Sequence, residues 1–289
     1  MQVFRAKVLG FCMGVRRAEE LAISEAKQSN NRSVYTLGPL VHNPVVLAGL
    51  KRQGIIPLDD PPPCLDDLID CSIVIRAHGV SFDLEMNLRE RGARIVDATC
   101  PNVKKSQLKA QELSRAGYCI FLAGEAQHAE IKGILSFARD ASFCEVAGSV
   151  TQAEEIALAL HEKDKDAKTA IIGQTTISED EYQKIANAIK NYFPNLETID
   201  TICSATKDRQ QALRELLQEV DAVIVAGGKE SANTRRLLAI AQASGKFCAL
   251  VENAKDIPLE FYEYEKVGIC AGASTPDSVI SDIELELLR

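Results

Sequence analysis

The sequence has no tryptophan, few aromatic residues and no long hydrophobic run. Aromatic residues make up only 5% of its 289 residues, so few side chains could stack on nucleic-acid bases. The net charge of −8 also argues against a surface for nucleic acid or anionic lipid. No apolar run approaches the roughly 18 residues that cross a membrane. The first residues lack a signal-peptide pattern, because Arg5 and Lys7 interrupt the apolar stretch. We therefore expect a cytoplasmic protein that binds neither membranes nor nucleic acids.

Paired cysteine motifs are also missing. Nine cysteines, an odd number, are spread along the chain without any C-x-x-C pair, which excludes zinc ribbons and thioredoxin-type motifs. A disulfide framework is not expected in a chain without a secretion signal. Most of the cysteines are therefore expected to be small buried hydrophobic residues. Those in strand-like runs are Cys119, Cys144, Cys248 and Cys270.

Short apolar runs alternate with amphipathic helical stretches along the whole chain. The strand-like runs are SVYTL, CSIVIRA, ARIVDA, YCIFLAG, TAIIG, LETID, DAVIVAG, KFCALV and VGICAG. The helical stretches are LAISEAK, LKAQELSRAG, QKIANAIKNYF, QALRELLQEV and RRLLAIAQASG. This alternation is typical of α/β proteins, in which helices pack on the faces of parallel sheets.

An internal repeat is the most informative feature of the chain. The segments DATCPNVKKSQ and DTICSATKDRQ share Asp, Cys, Lys and Gln at matching positions, and GFCMGVRRA is a partial third copy. The cysteines of these segments are Cys12, Cys100 and Cys203. Two further sets of repeated segments end strand-like runs with polar residues. These are His42, His128 and Ser231 in one set, and His78, Thr175 and Ser274 in the other.

The repeats predict three similar α/β units related by a pseudo-threefold axis. We place the units at residues 13–99, 100–199 and 200–289, with residues 1–12 completing the third unit. Ligands of open α/β sheets bind at the carboxyl ends of the strands. We therefore expect three such sheet edges to converge on one central pocket.

The three repeated cysteines are candidate metal ligands. Each precedes a helical stretch, and Pro101 suits the first helical position, so a helix N-terminus is expected to lower the pKa of the thiols. Three thiolates from equivalent units fit either zinc or an iron–sulfur cluster. They leave one ligand position open, which is typical of catalytic sites. The alternatives are a zinc-stabilised binding module and three unrelated buried cysteines.

The polar residues at the strand ends are candidate anion ligands. Imidazoles, hydroxyls and amides can hold a diphosphate without a cluster of Lys or Arg. The residues concerned are His42, His78, His128, Thr175, Ser231, Asn233 and Ser274. Glu130 is the one carboxylate in these loops, and in a dry pocket a glutamate is a natural proton carrier. An exposed Glu favoured by a helix N-terminus would give the same pattern.

Several motifs resemble those of the 4-hydroxy-3-methylbut-2-enyl diphosphate reductase family (the IspH/LytB family) over nearly the whole chain. The motifs are GFCMGV, GPLVHNP, RAHGVS, DATCP, HAE, QTT, DTICSATKDRQ and GASTPD. The resemblance implies a cloverleaf of three α/β domains around a 4Fe-4S cluster. It also implies the last step of the non-mevalonate isoprenoid pathway. In that step two electrons and two protons remove a hydroxyl group, which gives isopentenyl diphosphate and dimethylallyl diphosphate.

The resemblance also implies roles for individual residues. Cys12, Cys100 and Cys203 match the cluster ligands, Glu130 matches the proton source, and Thr175 matches a hydroxyl near it. The residues that match diphosphate-binding positions are His42, His78, His128, Ser231, Asn233 and Ser274. One position departs from the family pattern, since Ala232 stands where serine is common. A divergent, non-catalytic paralogue is therefore an alternative.

No GxGxxG or other flavin or nicotinamide motif accompanies these residues. The resemblance therefore implies that electrons come from a partner protein, a ferredoxin or a flavodoxin. The nearest rival in chemistry is a threefold 4Fe-4S dehydratase of the quinolinate synthase type. It also uses three separated cysteines, but its motifs do not resemble the ones found in this chain.

Overall fold

The computed structural model describes residues 1–28, 32–41, 43–58, 68 and 70–289. Its strands are β1 (Gln2–Arg5), β2 (Ser33–Leu37), β3 (Ile55–Leu58), β4 (Cys71–Ile75), β5 (Arg94–Asp97), β6 (Cys119–Ala123), β7 (Cys144–Ala147), β8 (Thr169–Gly173), β9 (Glu197–Ile199), β10 (Ala222–Ala226), β11 (Phe247–Val251) and β12 (Lys266–Ala271). Its α-helices are α1 (Met13–Gln28), α2 (Pro44–Arg52), α3 (Phe82–Glu90), α4 (Pro101–Arg115), α5 (Ala129–Phe137), α6 (Val150–Lys163), α7 (Glu179–Lys190), α8 (Ser204–Glu219), α9 (Ala232–Ala243) and α10 (Asp277–Leu287). Two short 3-10 helices, Ala254–Asp256 and Leu259–Glu263, lie between β11 and β12.

The strands form three four-stranded sheets with the same topology. The strand orders are β3-β2-β4-β5, β7-β6-β8-β9 and β11-β10-β12-β1. All nine described strand pairs are parallel. If the strands of each unit are numbered along the chain, their order across the sheet is 2-1-3-4 in every unit. In the third unit, the N-terminal strand β1 occupies position 4. The predicted fold class of three similar α/β units is therefore confirmed.

The central strands are buried on both faces. All five residues of β6, β8 and β10 are buried, and each strand is a nearly continuous apolar run, as is typical of parallel strands covered on both sides. In the second unit, Phe121 and Ile171 pack with residues of α6 and α7. Ile120 and Ile172 pack on the opposite face, with residues of α4 and α5.

The strand-like runs and helical stretches identified from the sequence all coincide with strands and helices. The edge strands β1 and β3 were not predicted. In β1 only two apolar residues separate Gln2 from Arg5, and β3 contains Pro57. Proline cannot donate a ladder hydrogen bond and is therefore confined to sheet edges. The short helices α2, α3 and α5 were not predicted either, nor were α6 and α10.

Candidate active site

One cavity gathers residues from all three units. Ten of the eleven residues singled out from the sequence line it: Cys12, His78, Cys100, His128, Glu130, Thr175, Cys203, Ser231, Asn233 and Ser274. His42, the eleventh, lies outside the described residues. The edges of the three sheets at the carboxyl ends of their strands therefore converge on one pocket.

Equivalent backbone contacts place the three cysteines. Each cysteine amide donates a hydrogen bond to a carbonyl in the loop that follows the third strand of a unit. The pairs are Cys12 with Ala273 at 3.1 Å, Cys100 with Ala77 at 2.9 Å and Cys203 with Thr175 at 3.0 Å. The internal repeat therefore extends to the hydrogen bonds that hold the site.

These contacts also correct one detail of the repeat. Ala77 and Ala273 directly precede His78 and Ser274, so the equivalent of those two residues in the second unit is Thr176. The sequence repeat predicts Thr175 at this position, and this detail is wrong by one residue. Thr175 occupies the preceding position. Its carbonyl accepts the hydrogen bond from the Cys203 amide, and its side-chain hydroxyl donates to Glu130. Thr176 also lines the cavity.

The cysteines lie at the beginnings of helices, as predicted, but the pKa of Cys100 is raised and not lowered. Cys100 and Cys203 are the N-cap residues of α4 and α8. Burial raises the pKa of the Cys100 thiol above its ordinary value of 9.0. The amides of Asn102 and Val103 lower the pKa by a smaller amount, and the charges of the other two cysteines raise it further. The expectation of a lowered pKa is therefore wrong for Cys100, because desolvation outweighs the helix N-terminus.

There is open space beside the Cys100 sulfur, and a side-chain amide donates a hydrogen bond to the Cys203 sulfur. A Cβ atom on Gly14 would lie 2.7 Å from the Sγ of Cys100, so only glycine leaves the space beside this sulfur open. The Nδ2 of Asn102, in the second unit, donates to the Sγ of Cys203 at 3.1 Å. Among the described residues, no three His, Cys, Asp or Glu side chains are grouped closely enough to hold a single metal ion.

Glu130 is fully buried beside Thr175. Its Oε1 accepts from the Thr175 amide at 2.6 Å, and its Oε2 accepts from the Thr175 hydroxyl at 2.9 Å. Burial raises the pKa of Glu130 from its ordinary value of 4.5 to about 7, although the Thr175 hydrogen bonds and the charge of Arg236 lower it. The carboxyl group can therefore gain and lose a proton near neutral pH.

The two described histidines of the site lie side by side. The rings of His78 and His128 are 5.1 Å apart and meet edge to face. His128 is the N-cap of α5, and its Nδ1 accepts a hydrogen bond from the Glu130 amide at 3.2 Å. In the neutral ring, Nε2 therefore carries the hydrogen. This tautomer presents a donor on the nitrogen that the helix does not use.

The third unit supplies neutral polar groups. Ser231 is the N-cap of α9, and its hydroxyl accepts from the Thr234 amide at 3.3 Å. The Nδ2 of Asn233 and the hydroxyl of Ser274 are buried without a hydrogen-bond partner in the part of the chain that the structure describes. Buried polar groups are rarely left unpaired, so both atoms indicate a polar ligand. Ala232 lines the same cavity as the first residue of α9.

Arg209 is a cavity residue that was not singled out from the sequence. It is buried, and its guanidinium donates to the carbonyls of Gly10 and Ala205, each at 2.8 Å. Gly10 lies two residues before Cys12, and Ala205 lies two residues after Cys203. Arg209 therefore ties together two of the segments that carry the repeated cysteines. Its place inside the motif DTICSATKDRQ was the only sequence signal for this role.

The sequence pattern of the family described as "LytB protein" matches residues 3–288. The chain belongs to the LytB family. The 4-hydroxy-3-methylbut-2-enyl diphosphate reductase from Treponema denticola is 43% identical over the full length of both chains. The reductase of the same name from Aquifex aeolicus is 36% identical, over 98% of this chain and 95% of its own.

Solved structures show the same relationship. The E-1-hydroxy-2-methyl-but-2-enyl-4-diphosphate reductase from Plasmodium falciparum superimposes with a TM-score of 0.91 at 26% identity, covering all of this chain and 88% of its own. A second structure, of the terminal enzyme of the non-mevalonate pathway, gives a TM-score of 0.72 at 34% identity, covering 100% and 99% of the two chains. In the described ranges of the LytB chain, no helix has the length and apolar character to cross a membrane.

Proposed function

We propose that this LytB-family protein is a 4-hydroxy-3-methylbut-2-enyl diphosphate reductase. Its reaction would remove the substrate hydroxyl with two electrons and two protons, releasing water and giving isopentenyl and dimethylallyl diphosphate. The observation that carries the proposal is the single cavity in which three cysteines, a buried carboxyl group and unpaired polar donors meet. Family membership favours this reductase over a dehydratase of the quinolinate synthase type.

Cys12, Cys100 and Cys203 would hold a 4Fe-4S cluster. The residues fit the group, since Gly14 leaves open the space beside the Cys100 sulfur and Asn102 already donates to the Cys203 sulfur. Thiolates on a cluster bind different iron atoms, so they need not meet at one point as the ligands of a zinc ion do. When bound, the cluster would supply electrons and Lewis acidity at the substrate hydroxyl.

The diphosphate group would bind between two helix N-termini. His128 begins α5 and Ser231 begins α9, and both helices direct their positive ends toward the cavity they line. We propose that His78, Asn233 and Ser274, together with His42, complete the set of donors. Asn233 and Ser274 would gain in this way the hydrogen-bond partners that they lack within the described chain.

Glu130 would deliver the proton that the departing hydroxide needs. With a pKa of about 7, roughly half of the carboxyl groups carry a proton at neutral pH. Thr175 contacts both oxygens, so it holds the carboxyl group in one orientation and is the residue through which the proton can be relayed. Because Glu130 is fully buried, water does not compete with the substrate for this proton.

The electrons would come from a partner protein, a ferredoxin or a flavodoxin, in the cytoplasm. Eight cysteines are free thiols in the described part of the chain, which is typical of a reducing compartment. We further propose that the functional units are residues 13–99, 100–199 and 200–289, with residues 1–12 in the third. The parallel pairing of β1 with β12 supports the last assignment.

Anaerobic purification and turnover test the proposal together. We expect a brown protein that contains iron and sulfide and converts 4-hydroxy-3-methylbut-2-enyl diphosphate with an artificial reductant to the two isomeric diphosphates. A colourless zinc protein would point instead to a binding module. A brown protein that binds the substrate without converting it would identify a non-catalytic paralogue and would direct attention to Ala232.

A further inference from the structure

A second cavity lies behind the three cysteine-bearing segments. It is an open groove of about 890 Å³ between α1, α4 and the strand β9. Its lining residues are Arg17, Asp97, Thr99, Pro101, Lys104, Lys105, Leu108, Lys109, Glu112 and residues 198–201. None of the described residues that line the central cavity lines this groove. A molecule in the groove would therefore leave the central cavity accessible to the substrate.

The walls of the groove are the chain segments that deliver the proposed cluster ligands. Thr99 and Pro101 line the groove, and both are bonded to Cys100, which lines the central cavity. Thr201 lines the groove two residues before Cys203. The groove is therefore one step along the chain from Cys100 and two steps from Cys203, and each step between Cα atoms is about 3.8 Å.

The α1 helix, which follows Cys12, closes the groove on a third side. The guanidinium of Arg17 donates to the carbonyls of Thr99 at 3.2 Å and Asp97 at 3.4 Å. The Nζ of Lys104 lies 3.2 Å from the Asp97 carboxylate. These contacts fix the floor of the groove, so the surface is preorganised for a partner rather than built from loose side chains.

The groove carries more positive than negative charge, unlike the rest of the chain. Its four basic residues outnumber its three acidic residues, Asp97, Glu112 and Asp200, while the whole chain has a net charge of −8. Lys105 is exposed and makes no ion pair with any described residue. Leu108 is 53% exposed on the same helix. An apolar side chain beside an unpaired cation is a suitable contact for a small acidic protein.

We propose that this groove is the docking surface of a small, acidic electron-carrier protein. The inference rests on the proposed function, because the reductase reaction consumes two electrons, whereas a dehydratase or a zinc-stabilised binding module consumes none. Two reduced carriers would each lose one electron across the Thr99–Pro101 wall, and the two electrons would be consumed with two protons as the C–O bond breaks and water leaves. Electron-transfer complexes are held by small interfaces, so a groove of this size with a small excess of positive charge is sufficient.

Charge variants and binding measurements test the proposal. The probe is a 2Fe-2S ferredoxin, titrated at low ionic strength against the cluster-loaded protein, with flavodoxin as a second carrier. Reversing one rim charge in Lys105→Glu should weaken ferredoxin binding roughly fivefold or more. Glu112→Lys adds positive charge at the same rim and should strengthen binding. Lys165→Glu, on an exposed loop away from the groove, is the matched control and should leave binding unchanged.

Turnover separates this proposal from the proposed function. Lys105→Glu should lower turnover at limiting ferredoxin but keep wild-type turnover with an artificial reductant, because Lys105 lies outside the central cavity. Wild-type ferredoxin affinity in both Lys105→Glu and Glu112→Lys would overturn the docking surface, as would an equal loss of affinity in Lys165→Glu. Absence of turnover with the artificial reductant in the wild-type protein would instead overturn the reductase assignment.

Discussion

Replacing Glu130 by Gln tests both the environment and the role of this carboxyl group. Both of its oxygens accept hydrogen bonds from Thr175, one from the amide and one from the hydroxyl. Glutamine keeps the shape and one carbonyl acceptor for the amide. Its NH₂ group faces the Thr175 hydroxyl, which can rotate to accept instead of donate. The variant is therefore expected to fold while losing the only transferable proton at this position.

The pKa of Glu130 determines how the stability of the variant should depend on pH. Its pKa is raised from 4.5 to about 7 in the folded protein, so the folded state binds more protons than the unfolded state between these values. The stability contribution is present below about pH 4.5 and is lost as pH rises through 7. Glutamine does not titrate. The free energy of unfolding of Glu130→Gln, relative to wild type, should therefore rise by about 2 kcal/mol between about pH 5.5 and about pH 8.

Turnover of Glu130→Gln should fall, even though its stability relative to wild type rises with pH. General acid catalysis contributes about 10²–10⁴-fold, so Glu130→Gln should lose at least about 10²-fold in turnover with excess artificial reductant. The wild-type rate should fall as the pH rises above about 7, because the protonated fraction of Glu130 declines. Urea unfolding at several pH values and steady-state assays measure the two effects. Parallel stability curves for wild type and variant would refute the raised pKa, and near wild-type turnover would move the proton source elsewhere.

Three further substitutions test the remaining parts of the site. Cys100→Ser should lose iron and sulfide, whereas Cys144→Ser, whose thiol lies in the strand β7, should keep both in an elemental assay. His128→Ala should weaken binding of a diphosphate ligand at least about tenfold in calorimetry, since a hydrogen bond to a charged group contributes about 1.5–3 kcal/mol; unchanged affinity would rule out the phosphate role. Arg209→Met should lower the free energy of unfolding by roughly 2 kcal/mol, because the buried Gly10 carbonyl loses this donor and the two cysteine segments lose the side chain that links them. Arg214→Met, on the exposed face of the same helix, should change it by less than about 0.5 kcal/mol.

The internal repeat explains why so much of the site could be predicted. The matching cysteines and strand-end residues belong to three units that have the same strand order. Residues that match in sequence therefore occupy equivalent positions in the three units. The contacts between units could not be predicted in the same way. Arg209 reaches Gly10 across 199 positions of sequence, and no local pattern encodes such a contact. Likewise, the raised pKa of Cys100 depends on burial by neighbouring units, which its helix N-terminal position does not reveal.

The pairing of β1 with β12 has a consequence for the order of events during synthesis. The segment that carries Cys12 is synthesised before the other two cysteine segments, but Gln2 and its strand partner Lys266 are 264 positions apart in the sequence. At about 5–20 residues per second, the interval is roughly 10–50 s. The first two sheets can form during this time, whereas β1 has no partner until the last strand has emerged. The hydrogen bond from the Cys12 amide to the Ala273 carbonyl likewise cannot form until residue 273 has been synthesised. Insertion of the proposed cluster on all three cysteines would therefore follow synthesis, since an unfinished chain offers at most two of the three thiols in their final positions.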